Sequence, residues 1–421
     1  DLSGTTGVTT LNASGSGLLK FTSNFTATGA GVKTLSLTGS GAGEIAGRII
    51  NNSGSNTTAL NKSGDSIWTL SGANTYTGLT DVQAGTLAYG VNNAIATGAV
   101  QVSGGILDLD TYSDSVGAVT LASGSIAGST GVLTGTSYAM QNGSLSAILA
   151  GSAGLTKTTS GTVTLSNSNT YTGITTISAG VLSVSSLANG GSTSNLGQST
   201  NAAANLVLGG GTLQYTGGTV SMNRNFTLTT GTTSSVYVTS AETDLTLSGA
   251  STNTTGGLNK AGAGQLVITG ANLHTGLTNV QAGTLAYGAN NALSNGAVQV
   301  SGGVLDLKTF NDTVGAVTLA SGSITGSTGV LTGASYAVQS GSISAILAGA
   351  VALNKTTTGT AILSGANTYT GVTTVSAGTL RATTSDNALG AGAASLTLAG
   401  GILELANDTG LDFARNTTLS A

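Results

Sequence analysis

The chain has 421 residues, with 67 glycines, no proline, no cysteine, 6% charged and 4% aromatic residues, and a net charge of -4. Yet 39% of its residues are apolar and its mean hydropathy is positive, which excludes the low-hydrophobicity, high-charge composition of disordered chains. The scarcity of charge, against about 25% in ordinary globular proteins, argues against a typical enzyme, and the acidic balance excludes the basic surface a nucleic-acid partner requires.

The opening residues, DLSGTTGVTT, have neither the basic start nor the apolar run of a signal peptide. The chain begins without Met and stops in mid-pattern at LSA, so it is read as an internal or processed segment of a longer secreted protein. The phrase LSGANTYTGLTDVQAGTL appears at 70–87 and returns as LSNSNTYTGITTISAGVL at 165–182, ITGANLHTGLTNVQAGTL at 268–285 and LSGANTYTGVTTVSAGTL at 363–380. Its aromatic position is held by Tyr76, Tyr171, His274 and Tyr369, at steps of 95, 103 and 95 residues. A lysine keeps the same rhythm at Lys62, Lys157, Lys260 and Lys355, as do Asn74, Asn169, Asn272 and Asn367 and the glycines Gly78, Gly173, Gly276 and Gly371. These sixteen residues form a structural repeat signature. Units too short and polar to bury a core alone must stack, which predicts a quasi-one-dimensional protein.

Between the signatures, GAVQVSGGILDLDT (98–111), GTVTLSNSNTYTG (161–173), GQLVITG (264–270) and ASLTLAGGILELA (394–406) alternate apolar and polar residues and break at Gly, Asn or Ser. Period-two alternation with frequent turn signals predicts many short strands and almost no helix. Too few aromatics are present for a series of sandwiches, whereas a β-solenoid builds its thin core from stacked Leu, Val, Ile and Ala. With coils of roughly 20 to 26 residues, a 95-residue step holds about four coils and the chain roughly 16–20.

A larger period overlies the first. Residues 71–180 align with 269–378 without a gap at a step of 198, with about three quarters of positions identical, as a duplication leaves. We expect one continuous β-helix over 1–421, with repeat units of about 60–258 and 259–421. A surface loop is expected at 186–204, where the copies differ in length.

The pattern L-x-G-x-N-x-Y-T-G-x-T-x-V-x-A-G-T-L, preceded by L-N/T-K, resembles the passenger-associated transport repeat of bacterial autotransporters, also called the autotransporter-associated β-strand repeat. GGILELA followed by RNTTLS is similar to the segments between such repeats. The resemblance implies an all-β, right-handed parallel β-helix passenger, extracellular on the surface of a Gram-negative-type bacterium and exported by a C-terminal barrel. No C-terminal run of amphipathic membrane strands follows, and no apolar run reaches membrane-spanning length. Lack of cysteine fits passage through a pore in an unfolded state.

Each candidate site has a plainer role beside it. Asp108, Asp110 and Asp114 form the densest acidic cluster, but its second copy reads Asp306, Lys308 and Asp312, so solvated strand-end charges are expected rather than a catalytic or calcium site. His274, the single histidine, is expected to be structural, and Trp68 a local packing plug. The signature lysines either line a binding stripe or are solvated turn charges that discourage edge pairing. The signature asparagines are expected to adopt left-handed backbone or to stack their amides. N-x-S/T triplets at Asn24, Asn56, Asn225 and Asn416 matter only in a glycosylating host.

No catalytic residue, metal or cofactor is expected. The expected role is a rigid stalk or fibre whose Thr, Ser and Asn surfaces serve self-association or attachment to other cell-surface or extracellular-matrix components, including glycans. The alternative is the scaffold or binding face of a carbohydrate-active β-helix passenger.

Overall fold

The computed structural model describes residues 2, 6–392, 394–406 and 415–420. Among them the only helical element is a 3-10 turn at Ala203–Asn205, and every registered strand pair is parallel. The chain is a parallel β-solenoid of about 20 turns. It divides into two compact units, Asp1–Thr200 and Asn201–Ala421.

In the first unit one ladder runs through Gly7–Ala13, Lys33–Gly39, Thr58–Lys62, Thr80–Val82, Val100–Asp108, Ala118–Ala127, Ser137–Met140, Leu155–Lys157 and Thr175–Ile177. Each strand in it begins a new coil. The second half of each coil supplies the other ladder, in which Trp68, Leu87, Leu107, Ile126, Leu145, Leu165 and Val184 occupy one register position in successive coils. All seven are fully buried. Period-two alternation produces this directly, because every second side chain points inward and parallel register sets like residues on top of one another. A third face appears where Asp114–Ser115, Val132–Thr134 and Ile148–Ala150 make a small three-stranded sheet.

The second unit repeats the plan. Leu245, Leu266, Leu285, Leu305, Ile324, Ile343 and Leu363 form its buried column. Each such side chain contributes about 1.5–3 kcal/mol on burial, with no single large residue dominating.

Coils are tighter than expected. Thr80, Val100, Val119, Tyr138, Leu155 and Thr175 share one register position, so the 95-residue step spans five coils of 17–20 residues rather than four. Glycine at the corners allows this. A Cβ on Gly78 would lie 2.3 Å from the Thr58 carbonyl oxygen, and one on Gly276 2.3 Å from that of Gly256. Gly173 and Gly371 meet Ala153 and Val351 backbone just as closely. The signature glycine stands where one corner crosses directly over the preceding one.

Trp68 packs against Gly43, where a Cβ would fall 2.4 Å from the indole, and lies parallel to Phe21 at a centroid distance of 6.4 Å. Its indole N–H donates to the Thr38 carbonyl at 3.1 Å, which satisfies the one polar atom of this plug. Residues 186–200 contain no strand but are tied down by Asn195. The Oδ1 of Asn195 accepts the N–H groups of Ser185 and Ser186 at 2.8 and 2.7 Å, and its Nδ2 donates to the Asn167 carbonyl at 2.7 Å.

Candidate functional surface

The signature residues face inward. Tyr76, Tyr171 and Tyr369 are fully buried, and each hydroxyl lies 2.7 Å from the Oγ1 of the threonine four residues on, Thr80, Thr175 or Thr373. Those threonines hold core register positions, flanked in their column by Leu60, Leu155 and Leu353. A hydroxyl is tolerated there because the ring delivers its partner. In the third copy His274 takes the same place. Its Nε2 lies 3.0 Å from Thr278 Oγ1 and its Nδ1 3.1 Å from Ser251 Oγ. Burial pulls its pKa down to about 4, so the ring is neutral at pH 7.

The asparagines adopt neither left-handed backbone nor amide stacks. Among the described non-glycine residues left-handed backbone occurs at Asn93, Asp110, Asn291, Lys308 and Thr384. Asn74 instead bridges three coils, accepting the Ile49 N–H at 2.7 Å and donating to the Ala94 carbonyl at 2.6 Å. Asn169 and Asn367 do the same with Leu149 and Asn195, and with Leu347 and Ala388. Asn272 donates to Gly270 and Ala292 while its Oδ1 is buried without a hydrogen bond. A buried amide satisfies backbone groups that the corner would otherwise orphan.

The signature lysines are neither solvated charges nor a binding stripe. Lys62, Lys157, Lys260 and Lys355 are fully buried, with stems stacked in an inward column beside Leu37 and Val82, Met140 and Ile177, Val236 and Val280, and Val375. Each ammonium ends in a nest of peptide carbonyls. Lys62 Nζ donates to Gly64 at 2.7 Å and Ala84 at 2.9 Å, and Lys260 Nζ to Ala261, Gly262 and Ala282 at 2.8–3.0 Å. Lys157 bonds Thr159 and Ala179, and Lys355 bonds Thr357 and Ala377. Burial lowers the Lys62 and Lys260 pKa to about 8. The apolar stem fits the core and the charge sews one corner to the next.

The aspartates do not converge. Asp108 ends its strand and its Oδ1 accepts the N–H of Asp110, whose left-handed backbone removes it from strand alternation. Asp306 binds the Lys308 N–H in the same way. Asp114 and Asp312 are 3% and 2% exposed, not solvated, and accept the N–H groups of Ile95 and Leu293. Among the described residues no group of three or more His, Cys, Asp or Glu side chains is placed to hold a metal ion, and no helix is long and apolar enough to cross a membrane.

The outward face carries the repetition available to a partner. In the first unit Asn61, Asp81, Gln101 and Thr120 stack in register, with Ser103 and Gln83 donating to Asp81 at 2.7 and 2.9 Å. In the second unit the stacks are Asn259, Asn279, Gln299 and Thr318, then Asn354, Thr374, Thr397 and Thr418. An apolar residue accompanies each signature at the variable position after its glycine. Leu79, Ile174, Leu277 and Val372 are 38–45% exposed.

Several structural groups escaped the sequence reading. Tyr138 and Tyr336 accept the N–H groups of Gly135 and Gly333 and lie 6.1 Å from Tyr171 and Tyr369, centroid to centroid. Arg415 donates to the carbonyls of Asp386, Leu389, Gly390, Ala391 and Ala394. Arg224, at the matching place in NRNFTL, is buried. The recurrence of S-Y-A and of R-N-x-T-L was the available signal.

The lysine nest, the coil-bridging asparagine, the ring–threonine pair and the crossing glycine recur as one block. That block coincides with a family match: the passenger-associated-transport-repeat model fits residues 60–88, 155–184, 258–286 and 353–382. The chain is an autotransporter passenger carrying these repeats. This passenger is also similar to the adhesin BmaC autotransporter of Brucella suis biovar 1 (strain 1330), 55% identical over 49 residues, which are 12% of this chain and 1% of that protein. No solved structure matches the passenger. Passengers with these repeats are displayed at the cell surface.

Proposed function

We propose that this segment is a non-enzymatic structural and adhesive stretch of its passenger, anchored to the outer membrane through a region outside the chain. Its repeat units, about 60–258 and 259–421, each present the same contact surface. The observation that carries this reading is the disposition of its polar groups. The signature lysines, the buried aspartates and the histidine are committed to holding coils together, while outward positions carry stacks made mostly of hydroxyl and amide side chains, with an exposed apolar residue after the glycine of each signature. Each contact along such a surface is weak, and repetition makes the sum strong. The similarity to a protein named an adhesin agrees with this reading.

The test is attachment. Cells or beads displaying the segment are compared with a variant carrying Leu79→Asp, Ile174→Asp, Leu277→Asp and Val372→Asp. Loss of self-association or of binding to cells, matrix or glycans, with the melting temperature retained, supports the proposal; unaltered attachment refutes the assigned surface.

A further inference from the structure

The corner after the first and the third signature contains a buried acid that the second and fourth do without. Asp114 sits at the start of the short strand Asp114–Ser115. Its Oδ2 accepts the Ile95 N–H at 2.8 Å, while its Oδ1 is buried with no hydrogen bond. The hydroxyl of Tyr89, at the end of Thr86–Tyr89, faces this carboxyl and is likewise buried without one. The step of 198 reproduces the couple. Asp312 accepts the N–H groups of Leu293 and Thr313 at 2.9 and 2.7 Å, and the facing Tyr287 hydroxyl is again orphaned. Among the described residues neither carboxyl belongs to an ion pair. The titratable groups acting on Asp114 are Tyr89 and, more weakly, Tyr76; Tyr287 acts on Asp312. His274, in the second unit, occupies the signature position that Tyr76 holds in the first and titrates separately.

We propose that Asp114 and Asp312 are two copies of a proton-operated latch, each tightening the corner between its tyrosine and its own strand when the carboxyl takes up a proton from mildly acidic surroundings. At neutral pH each site holds a buried anion with no cation beside it, the least favourable state for a carboxyl. One proton from solvent forms an O–H bond on the carboxyl, removes the charge and lets that O–H donate to the tyrosine oxygen. At Asp114 this satisfies two orphaned groups at once. Access is available there, because Asp114 lines a surface cavity of about 420 Å³ together with Asn74, Asn93 and Thr97.

Burial supports the chemistry, raising both carboxyls to about 6. A folded-state pKa above the unfolded value means that the native chain binds the proton more tightly. The associated stability is present in acid and is lost as pH rises through about 6. Between pH 7 and pH 5 the expected size is about tenfold per site in the local opening equilibrium.

The experiment is hydrogen exchange by mass spectrometry on the full chain at pH 5 and pH 7, corrected for intrinsic rates. Peptides covering 89–116 and 287–314 are expected to be protected more strongly at pH 5. The Asp114→Asn/Asp312→Asn variant, which keeps the backbone acceptor without the charge, should lose that difference. Tyr89→Phe should move the midpoint of the first peptide's response downward, because the protonated carboxyl then loses the oxygen to which its O–H donates. Equal wild-type protection at the two pH values overturns the latch, as does a difference that survives the Asn variant. Should the Asn variant not fold, the wild-type comparison and the Tyr89→Phe midpoint decide between the same outcomes.

Discussion

The hydroxyl of Tyr76 lies 2.7 Å from the Oγ1 of Thr80, and both groups are fully buried. Each supplies a side-chain partner for the other's buried hydroxyl, so neither hydroxyl is left to the core unpaired. Tyr76→Phe should therefore cost about 1–3 kcal/mol by stranding the threonine hydroxyl. The double change Tyr76→Phe/Thr80→Val should recover part of that loss. A denaturant double-mutant cycle measures it, and additive losses would show that the pair is not coupled.

Removing a nested ammonium should be worse than removing a surface lysine. Lys62→Met keeps the stem but leaves the Gly64 and Ala84 carbonyls unpaired, for a loss of about 1–3 kcal/mol. Lys20→Met, at an ion pair with Glu44 whose lysine side chain is 45% exposed, should change stability by less than about 1 kcal/mol. Urea midpoints of the two variants provide the comparison.

Leu87→Asp and Leu285→Asp place a charge in the central column of each unit, where both leucines are fully buried. A loss of more than about 4 kcal/mol is expected, seen as a large fall in melting temperature. An unchanged melting temperature would contradict the register.

Glycine substitutions should separate sharply by position. Gly78→Ala drives a methyl to within 2.3 Å of the Thr58 carbonyl oxygen and should cost about 1–3 kcal/mol or more. Gly54 meets nothing within 4 Å, so Gly54→Ala should be near neutral by thermal melting.

Acid should act on the histidine in the opposite sense to the two aspartates. A folded-state pKa of about 4 lies below the unfolded value, so the unfolded chain takes up the proton first and stability falls as pH drops from about 6.5 to 4. His274→Tyr should remove a loss of up to about 3 kcal/mol over that range. Melting temperatures of wild type and variant across it supply the check.

Composition and pattern alone determined the β-solenoid class, because period-two alternation with Gly and Asn corners is a local property and a repeat of identical phrases has to stack with itself. The same local logic identified Trp68 as a plug and His274 as a ring substitute. Only the tertiary structure decided where the polar members of the signature point. Lys62 was legible as recurrent but not as buried, since its partners are peptide carbonyls at Gly64 and Ala84, and backbone groups leave no mark in a residue string. Asn74 was misread for the same reason, its partners being the main chain of Ile49 and Ala94 in the neighbouring coils. Asp114 looked like one of three clustered acids, yet the left-handed turn at Asp110 separates it from Asp108 and turns it into the core. Sequence records which side chains recur; which backbone atoms meet them depends on how many residues each coil takes, and that is settled only when the coils stack.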